Sequence, residues 1–179
     1  FQAMSEESMM FVGAAALLFF CVLVLHSLWQ TGRKYPAAVH ARPNGIKGGL
    51  FLVVAFLFGV AVVDGGSAAN ILLFISERTP GGLPADVILR YGTPGIAGSV
   101  LCLAAIHRLI VGRDKKALIY ATVLMWIAGP VNEMLAFWSQ RSNGTEADVL
   151  PLAAIGCGVA ISTVYLFLSK RSKNTYGLF

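Results

Sequence analysis

The stretch GPVNEMLAFW, residues 129–138, places Asn132 and Glu133 near the end of an apolar run long enough to lie inside a lipid bilayer. A second acid, Asp64, interrupts another such run in VVDGGSAANILL, residues 62–73. Ionisable side chains in hydrocarbon are expensive, and they mark pairing, proton transfer or ligand contact. A carboxylate beside a carboxamide offers oxygen atoms to a cation, or a proton acceptor to a donor group. The candidate ligand-binding set is therefore Glu133, Asn132 and Asp64. Asn70 joins it from one or two turns beyond Asp64, with Ser67, and Trp126 from deeper in the run that holds Glu133. Two simpler roles stay open. In one, each acid only reaches the interface or a neighbouring helix. In the other, Asp64-Gly65-Gly66 is a turn or a helix end.

Helical rise puts the two acids at one depth. Asp64 lies 16 residues beyond Gly48, and Glu133 lies 16 beyond Ala117. Both therefore come about 24 Å above the starts of their runs. If they meet, they cannot both ionise easily, and the pair would hold a proton near neutral pH.

The elements that must position these groups follow from hydropathy. Of 179 residues, 56% are hydrophobic and 13% charged; soluble domains carry about 25% charged residues. A spanning helix needs about 20 apolar residues. Five runs qualify, at about 9–29, 48–75, 93–112, 117–138 and 150–168. The second is long enough to require tilt, or a break at Asp64-Gly65-Gly66. The fourth is expected to bend at Gly129-Pro130. Pro84, with Leu83, Val87, Ile88 and Tyr91, predicts a short interfacial helix over about 83–91. From Lys170 onward the chain reads as a basic tail. The residues before Met4 read as a tag remnant and are set aside.

The fold expected is all-α: one integral membrane domain over 1–179, a bundle of five transmembrane helices. Eleven of the fourteen Lys and Arg residues fall on one side, and Arg78, Arg90 and Arg141 fall on the other. The positive-inside rule then puts the N-terminus outside or lumenal and the C-terminus in the cytoplasm. The net charge of +5 belongs to this topology, so no nucleic-acid partner is expected. The location expected is that of a multi-pass protein of the plasma membrane or an endomembrane. Asn143-Gly144-Thr145, on the outer side, has the form of a glycosylation acceptor.

No cofactor and no metal centre are expected. Cys21, Cys102 and Cys157 all lie within apolar runs, and no Cys-x-x-Cys occurs. His26 and His107 lie near the opposite ends of their runs from the acids, without metal-ligand spacing. Trp29 and Trp138 suit interfacial anchoring. Ala154, Gly158 and Ser162 form a small-residue stripe for a close helix contact, within the chain or between protomers. No soluble-enzyme motif is present and no catalytic residue is assigned.

Residues 48–168 resemble the anthrone oxygenase-like membrane family. The resemblance is carried by ILRYGTPGIAG and LIYATVLMWIAGPVNEMLAF, with matching positions Tyr91, Gly92, Pro94, Pro130 and Asn132. The Trp and Asn-x-x-Arg of that family's last helix are absent from 150–168. The resemblance implies a small helical bundle with a pocket for an aromatic, lipid-soluble substrate.

Three functions are thus in play. The first is binding or translocation of a small hydrophobic or cationic ligand, or an ion, at the acidic and amide site. The second is an oxygenase-like membrane enzyme. The third is an accessory subunit of a larger membrane complex, packed through the small-residue stripe. Expected partners are membrane lipid and a homo-oligomer or larger membrane complex.

Overall fold

The computed structural model describes residues 22–24, 26, 27, 30, 46–79, 84, 85, 88–142 and 148–178. Among them every regular element is helical. Four helices are long and apolar enough to cross a membrane: α1 (Gly49–Arg78), α2 (Thr93–Val111), α3 (Lys115–Ser142) and α4 (Leu150–Leu168). Most of the first expected span, with Cys21 and Trp29, lies outside the described residues, as does the sequon at Asn143. Of the interfacial helix, the described part is Pro84, Ala85 and a π-helical turn, Ile88–Gly92, which runs straight into α2.

The surface is that of a membrane protein. Leu52, Val63, Phe74, Val100, Val123, Leu135 and Ile161 all stand exposed. Such a surface is costly in water and neutral in lipid. The core is built from Leu50, Val54, Leu57, Ala105, Ile106, Leu109, Leu118, Ala121 and Met125.

Helix α1 is continuous. Its 30 residues span about 45 Å, so the long run is one oversized helix and Asp64-Gly65-Gly66 is neither a break nor a helix end. Two mid-helix glycines cost about 1 kcal/mol each against alanine. Packing explains Gly65, because a Cβ there would sit 2.8 Å from Ser99 Oγ. That hydroxyl donates to Ala61 O at 2.7 Å and to Gly95 O at 2.9 Å, tying α2 to α1.

Successive helices pack antiparallel. Gly92 meets Leu72, Gly95 meets Ala68, and Ser99 meets Ala61 along the α1–α2 seam. Asp114 caps α3, its Oδ1 accepting from Ala117 N at 2.8 Å, and makes the α2–α3 turn tight. Helix α4 closes the bundle against α1 by a reciprocal fit. Gly158 receives the Phe56 ring, and seven residues away on each helix Gly49 receives the Tyr165 ring. Ser162 is buried and Ala154 exposed. The small-residue stripe is therefore used within the chain at Gly158.

The expected basic tail is a docked helix, α5 (Lys170–Tyr176). Ser169 caps it through Ser172 N, and Gly177 ends it at φ 65° with Leu178 N donating to Lys173 O. Tyr176 is buried, and its hydroxyl donates to Leu109 O at 2.6 Å, while Arg113 Nη1 donates to the same oxygen at 3.0 Å. Leu109 O is one of the last carbonyls of α2, which have no partner in their own helix. The tail thus completes the end of α2. Arg113 Nη1 stays on that oxygen in Tyr176→Phe, so the substitution should cost about 1 kcal/mol, read from thermal unfolding.

Burial holds the Tyr176 hydroxyl protonated beyond the usual tyrosine range, against an opposing pull from Arg113. An undocked tyrosine ionises near pH 10.0 while the docked one does not. Stability from this contact is therefore complete below pH 10 and declines above it. The unfolding midpoint should fall as pH rises past 10, and Tyr176→Phe should flatten that decline.

Candidate functional site

Asp64 sits halfway along α1 and faces α2, only 8% exposed. It fits there because α2 presents glycine. A Cβ on Gly95 would lie 2.6 Å from Asp64 O. One on Gly98 would lie 2.6 Å from Asp64 Oδ2 and 2.9 Å from Asn132 Nδ2. Three helices therefore converge on one point above Gly98. Asp64 Oδ2 is fully buried there and has no hydrogen-bond partner among the described residues.

Asn132 reaches that point because of Pro130. Proline lacks an N–H, and its ring collides with the carbonyl four residues back in an α-helix. Here the chain opens into a π-helical turn, Ile127–Val131, and α-helix resumes at Asn132. One extra residue in a turn rotates the remainder of the helix by about 100° about its axis. Gly129 lets the widened turn sit against Ile155 and Val159 of α4. The bend expected at Gly129-Pro130 is thus a bulge that re-aims Asn132 and Glu133. Glu133 is half-buried and follows Asn132 directly on the resumed α-helix. Cys102, one turn beyond Gly98, is buried on the same side of α2.

The other candidates lie elsewhere. Asn70 is exposed; six residues on from Asp64 is about 240° around the helix, away from α2. Ser67 is exposed as well. The Trp126 indole N–H donates to Thr163 Oγ1 on α4 at 3.1 Å, so this ring addresses α4 and not the acids. Trp126→Phe should accordingly leave ligand binding unchanged while loosening α4, which a binding titration paired with a thermal melt would separate. His107 is exposed, and His26 is bonded to Gln30 at 2.8 Å. Among the described residues no three His, Cys, Asp or Glu side chains gather into a set that could hold a metal ion.

No family model matches the chain, and neither does any curated protein or solved structure. The site therefore rests on its own chemistry. Gly95, Gly98, Ser99 and Cys102 are the members that sequence reasoning passed over. Their signal was a run of small residues every three or four positions in GTPGIAGSVLC, the pattern of close helix approach.

Proposed function

We propose that this chain is a multi-pass membrane protein that binds or translocates a small ligand or ion at Asp64, Asn132 and Glu133. The observation that carries the reading is Asp64 Oδ2, a carboxylate oxygen buried among three helices without a hydrogen-bond partner among the described residues. Burying a polar atom unpaired costs several kcal/mol in an apolar medium. A structural role would have supplied a donor from the protein; a site leaves that place for its ligand. The mechanism proposed is proton-linked: Glu133 takes a proton when the site empties and releases it when a cation or donor group arrives.

The orientation belongs to the same proposal, with the N-terminus outside and the C-terminus in the cytoplasm. Lys47, Arg108, Arg113, Lys115, Lys116, Lys170, Arg171 and Lys173 gather at the end of the bundle where α1 and α3 start and α2 and α4 finish. Arg78 and Arg141 lie at the other end.

Glu133→Gln tests the reading. The substitution keeps size and removes the charge, so pH-dependent binding or flux in reconstituted vesicles should disappear. Binding that keeps its pH profile in this variant would exclude the mechanism. Native mass spectrometry of the protein released from detergent reports the bound molecule and the number of subunits together. The enzymatic reading gains from Asn132, a position of the oxygenase-like resemblance that shares the point above Gly98 with Asp64. It requires product from an anthrone-like substrate with the purified protein, and is dropped if none forms.

A further inference from the structure

The seam between α1 and α4 changes character at the height of Asp64. Two contacts close its inner half, Tyr165 on Gly49 and Phe56 on Gly158, one heptad apart on each helix. The next step of that register sets Val63 opposite Pro151. Among the described residues the contact stops there: Val63 is 62% exposed, and Pro151 is exposed as well. A Cβ on Gly59, one turn below Val63, would meet nothing within 4 Å. The face of α1 that turns into the bundle follows the same course. Val53 and Val60 are buried, and Ser67, next on that line, is exposed. Straight helices drift from such a register by about 20° per heptad. Helix α4 packs instead on α3, where Ile155 and Val159 meet Gly129. Helices α1 and α4 therefore part above Phe56, and the gap opens beside Ser67, a surface neighbour of Asp64 three residues away.

Depth and charge define what fits this gap. Val63 lies 14 residues beyond Gly49, about 21 Å along α1, inside an apolar layer of about 30 Å. The gap thus faces hydrocarbon, and its edges at Gly59, Val63, Pro151 and Ala154 are apolar. Further in stand the polar groups. Asn132 and Glu133 are half-buried while Val131, Met134 and Leu135 beside them are exposed, so the polar pair lies on the inward side of α3. Carboxylates draw a cationic or donor group, and apolar edges take an alkyl chain.

We propose that the ligand is a cationic amphiphile dissolved in the bilayer, and that it enters between α1 and α4 with its head toward Asp64, Asn132 and Glu133 and its tail past Gly59 and Val63. This rests on the reading of those three polar residues as a binding site. It adds the route and the class of ligand.

The test uses the full chain in phosphatidylcholine nanodiscs. Thermal unfolding is followed with dodecylamine, dodecanoate and methylamine as probes. Dodecylamine should raise the midpoint saturably, as a ligand of the folded state does, and dodecanoate should not. Gly59→Phe puts its ring into open space, so it should fold as the unaltered chain does and weaken the dodecylamine response by about tenfold or more. Gly156→Phe has equal room but lies about 200° around α4 from Gly158, away from the seam, and should leave the response unchanged. Asp64→Asn should weaken it. Methylamine or dodecanoate acting as well as dodecylamine at equal concentration would overturn the inference and leave the site standing. Loss of oligomers or of folded yield in Gly59→Phe alone would show that a second copy, or the segment before residue 46, covers the seam, and would overturn it too. No response to either amine also overturns it; if Glu133→Gln then leaves the pH profile of binding unaltered, the site itself goes.

Discussion

Asp64→Asn is expected to weaken ligand binding by roughly tenfold or more and to raise the unfolding temperature at the same time. The two effects share one cause. Asp64 is buried in α1 against α2, and Oδ2 has no hydrogen-bond partner among the described residues. In the ligand-free protein that oxygen loses its hydration and gains nothing from the protein. Asparagine is nearly the same size, carries no charge and can turn its amide toward the Asn132 side chain. The ligand-free fold should therefore gain stability, of order 1–3 kcal/mol. The liganded state loses a charged partner, and a contact to a charged group is worth about 1.5–3 kcal/mol, or roughly 10- to 150-fold in affinity. Thermal unfolding of the ligand-free variant, beside a binding titration, measures both. An Asp64→Asn protein that is destabilised and still binds would show that the carboxylate holds the helices together and is not a site. The opposed signs give the experiment its power, since an ordinary core substitution lowers stability and function together.

Gly158→Leu should prevent α4 from docking, while Gly156→Leu, two residues away, should be tolerated. A Cβ at residue 158 would overlap the Phe56 ring, whose Cε2 lies 2.7 Å from it, whereas nothing lies within 4 Å of one at residue 156. Helices in lipid associate by close packing, without the aqueous hydrophobic effect to hold a loosened pair together. Overpacking costs about 1–3 kcal/mol in a soluble core. Here a leucine must also displace an aromatic ring that fills a gap between α1 and α4, so the cost should reach the top of that range or exceed it. Yield of monodisperse protein and the thermal midpoint report the outcome. Equal behaviour of the two variants would contradict the α1–α4 fit. Loss of oligomers with an intact monomer in Gly158→Leu would instead place this face between copies.

The order of residues along the chain was enough to locate the four long helices of the described residues to within a few residues at each end. Hydropathy over about 20 residues and a rise of about 1.5 Å per residue are properties of the chain read along one axis. They locate the long runs, the grouping of Lys and Arg by loop, and the heights of Asp64 and Glu133. The same axis carried signals for the tail helix, Ser169 before it and Gly177 after it, although so short a polar segment forms a helix only with a surface to dock on.

The direction in which each side chain faces came only from the packing of one helix on another. Asp64 and Asn70 look alike along the chain, yet α2 covers the first and leaves the second exposed. Asn132 meets Asp64 because Pro130 forces a π-helical turn that rotates the helix beyond it. Helix α1 runs unbroken through Asp64-Gly65-Gly66, and Gly65 is the fitting residue where Ser99 of α2 comes close. Hydropathy sums a window and discards angle. Whether a polar group meets a partner or a ligand depends on that angle, which is settled only when neighbouring helices pack.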